Sequence, residues 1–168
     1  CFVMPYRVPR LANCSALNYG NKRLPSIQKN KEQKMSHNML QVLQPEGWAP
    51  AKGYANGIAA RGEMIFVAGM IGWNGQCQFE TDDFVAQCKQ ALQNIVATLA
   101  CAGAGPEHMA RMTWYVKDKK EYVARGRELG KVYQEVMGKN YPAMTLVQVA
   151  DLVEDRALVE IEVTAVKP

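Results

Sequence analysis

The 168 residues are about one domain's worth of chain, and a 48% apolar, 21% charged composition is too mixed for disorder. No run approaches the roughly 18 apolar residues that cross a bilayer, so a multidomain machine and a membrane-spanning chain are both excluded. The formal net charge of +4 is unevenly placed: residues 1–34 carry seven basic side chains against Glu32, while the remainder carries 13 basic and 15 acidic ones.

Residues 1–34 run through Pro5, Pro9, Pro25 and a Lys/Asn/Gln cluster without helical or alternating apolar period. This predicts an unstructured basic leader. An organelle transit peptide is one reading of it; upstream or non-native sequence ahead of a start at Met35 is the preferred one, which puts the domain at residues 35–168. Next come two β-prone runs, Gly57–Arg61 and Met64–Gly72, flanking Gly62-Glu63, a spacing that predicts a hairpin. The second run is almost wholly apolar and reads as a strand buried on both faces. Asn74-Gly75 marks a tight turn. Thr81-Asp82-Asp83 offers a helix cap, after which Phe84, Cys88, Ala91, Leu92, Ile95, Val96 and Leu99 recur at helical spacing until Gly103 and Pro106.

Met112–Val116 reads as a strand. Asp118 with Glu121 resembles a capping box opening a second helix, with Tyr122, Val123, Leu129, Tyr133, Val136 and Met137 on its apolar face and Gly138 closing it. Gly126 and Gly130 inside it each cost about 1 kcal/mol against alanine, which suggests close packing on a sheet. Met144–Val149 and Leu158–Val166 are the last strands, separated by polar Asp151–Arg156. The predicted order is β-β-α-β-α-β-β, an α+β domain with two helices on one face of a mixed sheet.

Several chemistries fall away at once. Ser15, Ser26 and Ser36 all precede the predicted elements, so a Ser-His-Asp hydrolase is out. The histidines are His37 and His108, and Cys77, Cys88 and Cys101 lie ten or more residues apart, so no metal site is legible and no cofactor is expected. Five cysteines with no signal core point to reduced, mostly buried thiols and a cytoplasmic protein. The glycines at 69, 72 and 75 lack the Gly-Lys-Ser/Thr of a phosphate loop. Trp48, Trp73 and Trp114 could stack on bases, but a domain without net positive charge lacks the counterion release that drives nucleic-acid binding.

Two places retain chemical interest. On the last strand Leu158, Glu160, Glu162 and Thr164 share one face, with the two carboxylates roughly 6.6 Å apart at ~3.3 Å per residue. They are either ordinary charges on a solvated sheet face, or one of them orients water in a cleft completed by another subunit. Tyr54, in the Gly-flanked loop Lys52–Gly57, is either a turn tyrosine or a lid over a small ligand.

Three segments together resemble the reactive-intermediate deaminase family, RidA/YjgF, also labelled endoribonuclease L-PSP. They are Gly53-Tyr54-Ala55-Asn56-Gly57 leading into Met64–Gly69; Ala91-Leu92-Gln93-Asn94-Ile95 with Ala102-Gly103; and Tyr141-Pro142-Ala143-Met144-Thr145 followed by Leu158–Val166. The likeness spans residues 45 to 167. It implies a chorismate-mutase-like protomer, a homotrimer with clefts between subunits, and hydrolysis of enamines or imines to a carbonyl compound and ammonia without metal or cofactor. By position, it makes Glu160 the residue that orients water and Tyr54 the one that closes the cleft, with backbone near Gly69 and Ala143 holding a small-molecule substrate.

The departures from that pattern matter equally. The archetype has an arginine after Pro-Ala that grips the substrate carboxylate with two charge-assisted bonds; here the residue is Met144, which cannot. Met70 stands where many relatives have glutamine. The implied substrate is therefore one without the usual carboxylate contact, or one held by Arg111 or Lys52. The alternatives are a non-catalytic trimeric binding or regulatory module, and an endoribonuclease.

Overall fold

The computed structural model describes residues 40–168, and the expected boundary between residues 34 and 35 lies outside them. β1 (Leu40–Leu43) and β2 (Gly57–Ala60) pair antiparallel as a two-stranded sheet. A second sheet joins β3 (Glu63–Ile71), β4 (Met109–Val116), β5 (Ala143–Gln148) and β6 (Val159–Lys167) in the order β3-β6-β4-β5. β6 is antiparallel to both neighbours, whereas β4 and β5 are parallel. A parallel pair needs a crossover, and α2 (Lys119–Ala124) with α3 (Gly126–Met137) supplies it.

α1 (Phe84–Cys101) packs on β3, β6 and α3. Asp83 caps it, accepting from Ala86 N at 2.8 Å, and its helical stripe of Phe84, Cys88, Ala91, Leu92, Ile95 and Leu99 is buried as its spacing predicts. Buried Gln87 lies among them with every side-chain group occupied. Its Oε1 accepts from Leu158 N at 2.9 Å, and its Nε2 donates to Thr81 O and Arg156 O, both at 3.0 Å. The end of β3 closes on the same turn: a Cβ on Gly72 would stand 2.8 Å from the Gln87 Cα, so only glycine permits the approach. Asn94 secures the strand further, donating to Ile71 O and Trp73 O.

Four expectations need correction. The predicted hairpin is absent: Gly62, at φ 149°, turns the chain out of β2, which pairs with β1, and into β3, which pairs with β6. β1 itself is short and mostly exposed, so no periodicity announced it. β3 is an edge strand buried on one side, and Met64 (58% exposed) and Phe66 (71%) stand in the open on its other face. The second helix breaks at Arg125 into α2 and α3, and a Cβ on Gly126 or Gly130 would meet nothing within 4 Å, so neither glycine serves sheet packing. Of the described thiols only Cys88 is buried; Cys77, at a left-handed φ of 58°, and Cys101 are exposed. Among the described residues no helix is long and apolar enough to cross a membrane.

Candidate functional site

Strand alternation divides the four-stranded sheet into two faces. Toward the helices point Val67, Val163, Met112 and Met144 in one row, and Met70, Ile161, Trp114 and Leu146 in the next. The opposite face carries Phe66, Thr164, Arg111 and Ala143, then Glu162, Thr113 and Thr145, then Glu160, Tyr115 and Val147. β6 therefore shows the alternation read from its sequence, with Val159, Ile161, Val163 and Ala165 buried and Glu160, Glu162 and Thr164 half-buried.

Glu160 lies against a backbone shaped for it. Between Val67 and Met70 the register with β6 slips, placing the extra residue of a bulge at Ala68-Gly69. A Cβ at position 69 would stand 1.8 Å from Glu160 Oε1 and 2.9 Å from its Cγ, so the carboxyl occupies the space that glycine leaves. Across the strand pair from Glu160 is Tyr115, whose hydroxyl donates to Glu162 Oε1 at 3.2 Å. Desolvation first, then the Glu162 carboxylate, holds its phenol above the usual range, so it keeps its proton. Tyr115 was not singled out in the sequence, although splitting β4 into Arg111, Thr113, Tyr115 against Met112, Trp114, Val116 would have shown it. Arg111 shares this face but sits four residues from Tyr115, about 13 Å along the strand.

Tyr54 and Met144 meet elsewhere. Ala55 N donates to Pro142 O at 2.9 Å, and Ala55 bridges Ala143 in parallel, which ties the Tyr54 loop to the start of β5. This junction edges a groove of about 540 Å³ on the helix side, bounded by Lys52, Gly53 and Tyr54, by Met144 and Leu146, and by α3. Its aromatic walls are ordered in pairs: Tyr133 stacks on Tyr141 at 5.3 Å, and Trp114 meets Tyr122 edge-on at 6.4 Å. The Tyr133 hydroxyl donates to Asn140 O at 2.6 Å, and burial keeps it protonated well above the usual range. Tyr54, 45% exposed, stands at the rim.

The expected site residues thus fall into two separate groups in one protomer. Glu160 and Gly69 lie together on the open sheet face; Tyr54 and Met144 line the groove beside α3. Met144 and Glu160 lie on opposite faces and two strand spacings apart, about 10 Å laterally. Met70 packs against the helix-side core and is not part of the groove lining, and Ala143 joins the Tyr54 loop through a backbone bridge to Ala55. Among the described residues no group of three or more His, Cys, Asp or Glu is placed to hold a metal ion.

Residues 45–167 match the family model described as Endoribonuclease L-PSP. A RutC family protein of Haemophilus influenzae is 31% identical over 129 residues, covering 77% of this chain and 98% of its own. The crystal structure of YyfB from Yersinia pestis, a protein of unknown function of the Rid family, superposes with a TM-score of 0.70 at 26% identity over 77% of this chain and 99% of that one. Escherichia coli TdcF, solved with bound serine, superposes at a TM-score of 0.55 and 26% identity over 76% of this chain and 99% of its own. By these matches and its α+β architecture, the chain belongs to the Endoribonuclease L-PSP family, the RidA/YjgF group.

Proposed function

We propose that this chain is a homotrimeric hydrolase that converts a reactive enamine or imine to a carbonyl compound and ammonia, in clefts where the Glu160 face of one copy meets the Tyr54–Met144 groove of the next. The observation that carries the reading is the Glu160 carboxyl seated in the space over Gly69, partly exposed and without a cationic partner among the described residues. Exposed Met64 and Phe66, on the same sheet face about 13 Å or more along β6 from Glu160, support an oligomer, since apolar groups on an open sheet face favour cover.

The chemistry asks little of the protein. Glu160 takes a proton from water as the water oxygen bonds to the imine carbon, and that proton passes to nitrogen. The resulting carbinolamine passes its hydroxyl proton to nitrogen and expels ammonia as the carbonyl forms, and an enamine enters the same course after its N–H proton moves to carbon to give the imine, so atoms and charge balance with no redox partner. Holding water and substrate together supplies much of the rate. The Glu160→Gln variant is expected to lose ammonia release by at least about 100-fold, the low end for a general base, while keeping the fold and oligomeric state. Full activity in that variant, or a monomer by sedimentation, refutes the proposal.

Met144 bears on specificity. Met144→Arg is expected to raise ammonia release from 2-iminopropanoate, because a guanidinium at this position can grip a carboxylate with two bonds. A second reading, a non-catalytic binding module, is favoured by the relative solved with serine. It would be preferred if Glu160→Gln left every response intact while ligand still bound. The ribonuclease reading draws little support from a groove whose one cation among the described residues is Lys52.

A further inference from the structure

We propose that the guest of the groove is a flat aromatic 2-imino acid or its enamine, with the ring along the Gly126–Gly130 face of α3 and the carboxylate beside Lys52. This deepens the deaminase reading and rests on it.

Gly130 lies inside a helix, where glycine is less favourable than alanine, and a Cβ there would meet nothing within 4 Å. Nothing among the described residues calls for glycine at that position. What a side chain would take is groove space, and the same holds for Gly126 one turn earlier. Facing that space is Trp114, 6% exposed, whose indole N–H is buried without an acceptor among the described residues. Buried donors are nearly always paired, so the wall holds an unmet hydrogen bond, which an acceptor on a bound ligand reaches once the indole shifts to open its N–H to the groove. Met144 adds a polarizable thioether, which suits contact with a ring edge. Among the described residues Lys52 is the one charged residue of the lining and no carboxylate of the lining opposes it, so an anion is favoured at the rim. A three-carbon imine would leave most of the roughly 540 Å³ unfilled.

The test compares phenylpyruvate with pyruvate, the stable keto products, for binding to the full chain by calorimetry, alongside ammonia release from the corresponding imines. Phenylpyruvate is expected to bind about 30-fold tighter, the factor that burying one ring supplies. Gly130→Leu, which fills the groove with a good helix former, is expected to raise the melting temperature and cut phenylpyruvate binding at least ~10-fold, and Gly130→Ala to do so less. Equal affinity for the two acids overturns the inference, as does unchanged phenylpyruvate binding in Gly130→Leu, including the case where only the oligomeric state responds. Ammonia release without aromatic preference overturns the inference and leaves the deaminase reading standing. Tight phenylpyruvate binding with no release from any imine does the reverse.

Discussion

Replacing Gly69 by alanine probes the support beneath Glu160 without touching its charge. The added methyl would sit 1.8 Å from Oε1, 2.7 Å from Cδ and 2.9 Å from Cγ, whereas ordinary contact begins near 3.4 Å. The carboxyl must therefore retreat by about 1.6 Å, rotating about side-chain bonds of Glu160 rather than shifting backbone, because the nearest clashing atoms all belong to that flexible side chain. The strand itself should hold, since Gly69 is not in the left-handed region and alanine has the smaller unfolded-state entropy. Misplacement of about 1 Å costs on the order of 100-fold in rate, so kcat/KM for ammonia release should fall by about that factor while stability changes by less than about 1 kcal/mol. A coupled ammonia assay and a urea titration on the same preparation separate the two. If Gly69→Ala keeps its activity within about threefold of the parent, Glu160 does not work from the position seen over the bulge and the catalytic assignment fails.

Gln87→Leu removes three hydrogen bonds and strands the Leu158 N–H, Thr81 O and Arg156 O inside the fold; at about 1 kcal/mol each the domain should lose about 3 kcal/mol, read from the urea midpoint. A loss under about 1 kcal/mol would mean that water replaces the amide. The Arg125 guanidinium, bonded to Asp83 and Glu128, holds both carboxyls below their ordinary values of 3.8 and 4.5. A depressed folded-state pKa stabilises the fold above the unfolded value and loses that contribution as the pH falls through the folded one. Stability should therefore decline below those values, and Arg125→Ala should flatten that acid limb, weakly and less so in high salt because the groups are exposed. Parallel urea midpoints for parent and variant from pH 7 to pH 3 would refute it.

The family's fold was legible because its signals are local. Helical spacing from Phe84 to Leu99, the cap at Asp83, the turn at Asn74 and the alternation Val159–Ala165 all depend on neighbours a few residues away, and each element stands where these predict. What failed was pairing. β2 and β3 are adjacent in sequence, yet they belong to different sheets, because β1 and β6 offered partners that no local pattern names.

The same division governs the site. The residue types of Tyr54, Glu160 and Met144, and hence the family, follow from sequence alone, since a side chain's chemistry belongs to it wherever it lies. Their grouping does not. Strand alternation put Glu160 and Met144 on opposite faces, a bulge opened room over Gly69, and a bridge from Ala55 to Ala143 carried Tyr54 to the groove. Each of these depends on register between segments more than 30 residues apart, set by which apolar faces can be buried together, and only the folded chain decides that.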